Sequence, residues 1–246
     1  MPERQKFYTS FHDLSPREYM YIPEGSLQVG KPGSFSKIEL GHLVIAITVL
    51  TVAFSLTFSK NNLLFFLLGY PVDIGLFFYF MSIAFLGIVA AFFVHELSHK
   101  FMAQKYGLWS EFRMYPQGLL LSVIVAFFTG LVFAVPGAVM FRGDVKVFET
   151  GRIAAAGPAS NIAIAVVTYI LYQFLFFDKE FWGTLVGFVC LVNLLLATFN
   201  LLPVGPLDGR KVLVWNEIAW CVLFSVSVLF LSGMFIDRSL LTNLFA

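Results

Sequence analysis

Two histidines and a glutamate lie within one short segment, Phe92 to Lys100, of this 246-residue chain. His95 and His99 are four residues apart, so in a helix their imidazole rings lie on the same face. Two neutral imidazoles at this spacing can bind one Zn²⁺, and the adjacent Glu96 can act as a base on a metal-bound water. The segment therefore predicts a zinc-dependent hydrolytic site with His95 and His99 as ligands and Glu96 as the catalytic base.

The residues that precede these side chains, Leu76 to Ala91, are apolar and predict a membrane-spanning helix. The whole chain is 59% hydrophobic and only 13% charged, whereas soluble domains carry about 25% charged residues. The composition therefore indicates an integral membrane protein. Ionisable side chains are costly in a membrane helix, so the histidines and the glutamate are functional candidates.

Charge and cysteine content exclude other classes of function. The formal net charge is only +1, which gives no reason to expect nucleic acid as a partner. Cys190 and Cys221 both lie in apolar runs, so we expect small buried side chains and no disulfide framework. Residues Met1 to Lys37 are polar and lack the pattern of a signal peptide. We therefore expect a cytoplasmic N-terminal arm over residues 1–39 and a membrane-embedded domain over residues 40–246.

Long apolar runs predict the helices that must position the histidines. The expected fold class is an all-α membrane protein, a multi-pass helical bundle of about five to six spans. An apolar helix of about 18–20 residues crosses about 30 Å of hydrocarbon at 1.5 Å per residue. The predicted spans cover approximately Gly41–Phe58, Ile74–Tyr106, Ile153–Phe177, Gly183–Leu202 and Val212–Phe235.

A further apolar run, Leu119 to Met140, is ambiguous. Thr129-Gly130 divides it and Val135-Pro136-Gly137 interrupts its end. Its content of Val, Ile and Phe suits strands as well as a helix. The run is therefore either a full span or a membrane-embedded re-entrant or β-hairpin segment near residues 119–141.

The distribution of charge favours the re-entrant alternative. If the run does not cross, 13 of the 16 Lys and Arg residues lie on the N-terminal side of the membrane and 3 on the other. If it crosses, the division weakens to 10 against 6. Because positive residues collect on the cytoplasmic side, the first division is preferred and the N-terminus is expected in the cytoplasm.

The depth of the histidines points the same way. His99 lies several residues before the end of its predicted helix, so it is roughly 10 Å below the cytoplasmic interface. A zinc site of this type needs a third protein ligand. Asp208 reaches the same side only if the ambiguous run is re-entrant; otherwise it emerges about 20 Å away. Both arguments favour five full spans, with Asp208 as the third ligand.

Other acidic residues are weaker candidates for that ligand. Glu217 follows the same loop, but its neighbours Trp215 and Trp220 are typical of an interfacial belt. Three more lie in polar links, where a solvated charge is the ordinary interpretation: Glu111, Asp144 and Glu149.

The chemistry expected of this set is peptide hydrolysis. Zinc on His95, His99 and Asp208 leaves one position for water and lowers the pKa of that water to about 7. Glu96 can accept the proton and pass it to the leaving amine. Asn161 and Asn200 lie where the helices are expected to break, so either can bind the substrate backbone or the developing oxyanion. The alternative is that they cap helices or hold them together, which we also expect of Asn193.

Three motifs together carry a resemblance to a known family. They are His95-Glu96-Leu97-Ser98-His99, Gly157-Pro158-Ala159-Ser160-Asn161 and Asn200…Pro203…Asp208-Gly209. Their order and spacing resemble the site-2 protease family of intramembrane zinc metalloproteases, closest to archaeal members, over roughly Ile74 to Lys211. Arg210 stands where many members have a second glycine.

The resemblance implies one zinc ion per chain on His95, His99 and Asp208, with Glu96 as general base. It further implies Asn200 near the substrate carbonyl and Asn161 near the scissile segment. The expected partners are a transmembrane protein substrate and the lipid bilayer of the cell membrane. A hydrophobic hairpin turning near Thr129-Gly130 would present an edge strand to an unwound substrate.

Two other functions compete with this hypothesis. A transporter would have paired half-helices with internal symmetry, and the sequence contains no such repeat. A catalytically inactive relative could act as a membrane scaffold, although every expected catalytic residue is present.

Overall fold

The computed structural model describes residues 33–133, 135–142, 145–176 and 180–236. Most of the predicted N-terminal arm therefore lies outside the described residues. The helices in the described part of the chain are α1 (Lys37–Phe58), α2 (Leu63–Leu67), α3 (Ile74–Ile88), α4 (Val94–Lys105), α5 (Pro116–Thr129), α6 (Val147–Leu171), α7 (Glu180–Asn200), α8 (Asp208–Trp215) and α9 (Glu217–Ile236). The strands are β1 (Trp109–Met114) and β2 (Gly137–Arg142), and two π-helical turns cover Val89–Phe93 and Tyr172–Phe176.

Five helical stretches among the described residues are long and apolar enough to cross a membrane. They cover Lys37–Leu67, Ile74–Lys105, Val147–Phe176, Glu180–Asn200 and Glu217–Phe235. The prediction of a multi-pass helical membrane protein with five spans is therefore confirmed. α1 begins at Lys37, earlier than the sequence indicated, because the Ser36 side chain accepts a hydrogen bond from the Glu39 N–H and caps the helix.

The ambiguous run is re-entrant. β1 and β2 pair antiparallel, with Trp109 opposite Arg142 and Met114 opposite Gly137. A chain that leaves at Met114 and is paired again at Gly137 has returned to its starting point. Between these strands, α5 has 14 residues and is about 21 Å long, shorter than a full span.

The far end of this re-entrant segment turns at Gly130, as the sequence indicated, but it is not a β-hairpin. Gly130 has a φ of 68° and ends α5 in the left-handed conformation that glycine favours. Its Cα packs on the cap of α2, since a Cβ there would lie 3.0 Å from the Asn62 amide nitrogen. The return packs on α5, where a Cβ at Gly118 would lie 2.1 Å from the Val135 carbonyl oxygen. The turn therefore follows a helix, and β2 begins only at Gly137.

α7 is the central helix of the bundle. In its most apolar stretch 67% of the residues are buried, whereas in the corresponding stretch of α9 only 11% are buried. It packs on α3 and α6, where a Cβ at Gly87 would lie 2.4 Å from the Phe188 ring. At its end, Asn200 leads into a short loop that places Asp208 at the first position of α8.

The expected break in the helix near Asn161 is not present. α6 begins well before Gly157 and continues through Pro158, so Gly157 and Asn161 both lie inside one helix. Only Asn200 ends a helix, as predicted. Proline is tolerated within membrane helices because neighbouring groups can satisfy the freed carbonyl, and the sequence motif alone does not distinguish this case.

A buried polar network fixes α4 against α1 and β1. Lys100 Nζ donates to both carboxylate oxygens of Glu39, at 2.9 and 2.7 Å, and to the Ser110 carbonyl at 2.8 Å. The Phe112 N–H donates to Glu39 Oε1 at 2.9 Å. Because Lys100 directly follows His99, this network holds the end of the histidine-bearing helix beside the strand pair.

Candidate metal centre

His95, His99 and Asp208 converge at one buried point. The two Nε2 atoms, one helical turn apart on α4, are 3.0 Å apart. Asp208 Oδ2 lies 3.0 Å from His99 Nε2 and 3.5 Å from His95 Nε2. The structure thus brings together the three side chains that the sequence indicated as ligands.

This geometry fits a tetrahedral zinc ion. Bonds of about 2.0–2.1 Å to Zn²⁺ hold ligand atoms about 3.3–3.4 Å apart, and the observed separations of 3.0 to 3.5 Å bracket that value. Two imidazoles and one carboxylate are also the donor set of catalytic zinc sites, which keep a fourth position open.

The hydrogen bonds on the other ring nitrogens fix the tautomers of both histidines. His99 Nδ1 is 2.7 Å from the Ile153 carbonyl oxygen, which can only accept, so Nδ1 carries the hydrogen. His95 Nδ1 is 2.5 Å from Asn161 Oδ1. In the neutral rings each Nε2 is then left with a lone pair, and two lone pairs 3.0 Å apart repel unless a cation lies between them.

Glycine at position 157 allows the two rings to meet against α6. A Cβ there would lie 2.4 Å from His99 Nε2 and 2.7 Å from His95 Cε1. No side chain fits at that separation, so Gly157 forms the floor of the site. The glycine of this motif therefore contributes to the site by leaving room for the two histidine rings.

Asp208 is held ionised and oriented by its neighbours. Lys211 Nζ donates to Oδ1 at 3.1 Å, which turns Oδ2 toward the histidines. The adjacent Lys211 ammonium also favours the ionised form of this buried carboxyl. Gly209 lets α8 approach the preceding loop, because a Cβ there would lie 2.1 Å from the Leu201 carbonyl oxygen.

Glu96 is held by the backbone of β2. Its Oε2 accepts a hydrogen bond from the Val139 N–H at 3.1 Å. Among the described residues the sheet has only two strands, so this N–H points away from β1, along the free edge of β2. The carboxylate therefore lies between the metal ligands and an unpaired strand edge.

A cavity of about 340 Å³ opens over these groups. Besides the ligands and Glu96, it is lined by the β2 edge from Gly137 to Val139 and by polar groups of Thr150, Asn200 and Lys211. Apolar side chains form most of the remaining wall, among them Phe92, Phe141, Leu196, Phe199 and Leu207. The wall of the cavity is therefore mainly apolar.

The two asparagines singled out in the sequence have different surroundings. Asn200 lines the cavity, with its Nδ2 bonded to the Leu196 carbonyl at 3.0 Å. Asn161 is completely buried and is not among the cavity residues; its amide bonds to His95, Ala91 and Asn193. A substrate-binding role stays a prediction for both residues.

The other acidic candidates have partners elsewhere. Glu111 pairs with Arg113 and accepts from Ser36, whereas Glu149 accepts from the N–H of Lys146 at the start of α6. Asp144 lies outside the described residues.

Sequence reasoning missed Lys211 and Val139. The spacing of three residues from Asp208 within a helix could have indicated Lys211. Val139 acts through its backbone N–H, which has no signature in the sequence.

Two known proteins of the archaeon Methanocaldococcus jannaschii are similar to this chain. One, named "Putative zinc metalloprotease MJ0611", is 37% identical over 193 residues, which cover 77% of this chain and 90% of the relative. The other, named "Zinc metalloprotease MJ0392", is 31% identical over 135 residues, which cover 54% of this chain and 34% of that protein. No protein-family profile matches the sequence, and no solved structure matches it.

Proposed function

Because the chain belongs to the family of these archaeal zinc metalloproteases, we propose that it is a site-2 protease-like enzyme, a zinc-dependent endopeptidase that cleaves transmembrane segments of other proteins within the membrane. The observation that carries this proposal is the convergence of three groups beside Glu96: His95 and His99, on a helical stretch apolar enough to span a bilayer, and Asp208 at the start of α8.

The chain's own residues account for the proton transfers of peptide hydrolysis. Zinc, when bound, polarises a carbonyl and lowers the pKa of a water to about 7. Glu96 accepts the proton that water loses as its oxygen adds to the peptide carbon, and delivers it to the amine that leaves. The Val139 N–H keeps this carboxylate in place, and Lys211 keeps Asp208 turned toward the metal.

The substrate is an apolar segment that has locally lost its helix. Peptide groups released from a helix in a membrane must find new hydrogen-bond partners, because the hydrocarbon supplies none. The free edge of β2 offers backbone donors and acceptors beside Glu96, so an unwound segment can add to it as a strand. The apolar wall of the cavity accommodates its side chains.

We place the enzyme in the cell membrane with its N-terminus and active-site opening in the cytoplasm. The excess of positive charge on that side, 13 of 16 residues, supports this orientation. The strand pairing that returns Gly137 to Met114 supports the count of spans on which it depends.

Replacement of Glu96 by glutamine tests the proposal. Zinc content of the purified protein and cleavage of a model transmembrane substrate are measured with and without chelator. We expect about one zinc per chain in both proteins, and chelator-sensitive cleavage only in the wild type, reduced in Glu96→Gln by at least about 100-fold.

Glu217→Gln is the matched control, because Glu217 is exposed at the start of α9. It should retain both zinc and activity. A wild type that holds no zinc under metal-replete conditions, or a Glu96→Gln variant that still cleaves, would contradict the proposal.

A further inference from the structure

Two asparagines buried behind the metal site have no exposed surface. Asn161 on α6 and Asn193 on α7 are both 0% exposed, and neither is a cavity residue. Burial of an amide in an apolar bundle is costly unless its donors and acceptor are satisfied. The hydrogen-bond partners of these two side chains therefore indicate their role in the structure.

The backbone fixes which way each amide faces. Asn193 Nδ2 donates to the Val189 carbonyl at 2.8 Å, and Asn161 Nδ2 donates to the Ala91 carbonyl at 3.1 Å. Carbonyl oxygens only accept, so neither amide can be reversed without the loss of a bond. Asn161 Nδ2 also donates to Asn193 Oδ1 at 2.7 Å.

This leaves Asn161 Oδ1 as the atom that faces His95 Nδ1, at 2.5 Å. An amide oxygen is only an acceptor, so His95 Nδ1 must carry the hydrogen, and in the neutral ring Nε2 is then free of it. Each group thus donates to the next, from His95 Nδ1 to Asn161, from Asn161 to Asn193, and from Asn193 to the backbone of α7. The lone pair that remains on His95 Nε2 points at His99 and Asp208.

The π-helical turn before α4 belongs to the same arrangement. Ala91, whose carbonyl Asn161 holds, lies in the turn Val89–Phe93 directly before the histidine-bearing helix. π-helical turns occur often at functional sites and disturb the regular ladder of backbone bonds. A single amide therefore anchors both the backbone that leads to His95 and the ring of His95 itself.

From these contacts we infer that Asn161 and Asn193 form a relay that sets the tautomer and orientation of His95 for metal binding. This inference rests on the zinc site of the proposed function. Asn161 is then a positioning residue of the metal centre rather than a substrate contact, and Asn193 orients Asn161. Groups that hold a metal-bound histidine in this way commonly contribute about 10–100-fold to metal affinity.

The test compares metal affinity with stability across variants. Affinity for Co²⁺ and Zn²⁺ is measured by competition with a chelator, the visible spectrum of the Co²⁺ protein reports ligand geometry, and thermal unfolding reports stability. Asn161→Leu removes the acceptor for His95, so we expect affinity to fall about 10–100-fold. Asn193→Leu should give a smaller loss, because Asn161 keeps its bond to Ala91.

The variant Asn161→Asp distinguishes a role of Asn161 in orienting His95 from a general role in packing. Its carboxylate still accepts from His95 Nδ1 but cannot donate to Ala91 or Asn193. We therefore expect metal affinity and the Co²⁺ spectrum close to those of the wild type, together with reduced thermal stability. Thr184→Val is the control, because Thr184 on α7 is buried and its hydroxyl bonds to the Glu180 carbonyl away from the site.

The outcomes are distinct. Wild-type affinity in Asn161→Leu, or affinity that simply follows stability through all variants, overturns the relay while leaving the proposed function intact. A wild type without metal overturns both. If Asn161→Leu does not fold, nitrogen NMR of the metal-free wild type decides, since a neutral His95 ring with its hydrogen on Nε2 contradicts the inference.

Discussion

At the scale of single residues, Gly157 is a position on α6 where a Cβ would meet both ligand imidazoles. The atoms that a Cβ would strike belong to rings whose Nδ1 atoms are held by Ile153 and Asn161 of the same helix. Neither ring can move aside without breaking one of those bonds. This differs from glycines that merely face open space.

We therefore expect Gly157→Ala to lower metal affinity by at least about tenfold, as loss of ligand orientation does in other metal sites. Cleavage should fall with it. Gly233→Ala on α9 is the matched control, since a Cβ there meets nothing within 4 Å, and it should behave as the wild type. The measurement is zinc retained after dialysis against a chelator of known affinity; equal retention by both variants would show that the rings tolerate the methyl group.

The sequence indicated that the candidate ligands His95 and His99 would meet, because helical periodicity fixes the relation of one to the other. Asp208 followed from the count of spans. The role of Asn161 did not follow, because whether a buried amide faces a substrate or a histidine depends on how α6 packs against α4. No local pattern carries that information.

At the scale of elements, the position of α4 depends on one buried ion pair. Glu39 and Lys100 are almost completely buried and belong to α1 and α4. Removal of one partner leaves an uncompensated charge, whereas replacement of both by apolar residues often restores stability.

Glu39→Leu should accordingly destabilise the protein by about 3–5 kcal/mol. The double variant Glu39→Leu/Lys100→Met should recover most of that loss, although the Phe112 N–H then lacks its acceptor. Unfolding of both proteins in detergent provides the comparison. If the double variant is no more stable than the single one, the contribution of Lys100 to stability does not come from its ion pair with Glu39.

The elements near the site were only partly predictable. Length and apolar content indicated five spans, and the charge distribution indicated a re-entrant segment. The pairing of β1 with β2 was not foreseen because β1, with Glu111 and Arg113, is polar in sequence and satisfies those charges only within the folded network. The continuous α6 was missed because a proline was interpreted as a break.

At the scale of the whole molecule, the re-entrant segment decides the topology. Exposed lysines flank it on both sides, Lys105 at the end of α4 and Lys146 before α6. Tyr70, between α2 and α3, is exposed beyond the opposite end of α1.

Single cysteines can be placed at these three positions in a chain with Cys190 and Cys221 replaced. In oriented vesicles, two of them should be labelled from one side of the membrane and the third from the other side. We expect a membrane-impermeant reagent to label Lys105→Cys and Lys146→Cys from the cytoplasmic side and Tyr70→Cys from the other. Labelling of the two lysine positions from opposite sides would mean that residues 116–136 cross the membrane.

The contact between Gly130 and Asn62 has a consequence for where a substrate is cut. α1 and α5 end beside the same cap, yet α1 has 22 residues and α5 has 14, so their lengths of about 33 and 21 Å differ by about 12 Å. In the proposed function α1 spans the membrane, so the strand edge next to Glu96 would lie about a third of the way into the bilayer. For the proposed substrate, a transmembrane segment in the same lipid, this offset would set how far the cut bond lies from the membrane surface.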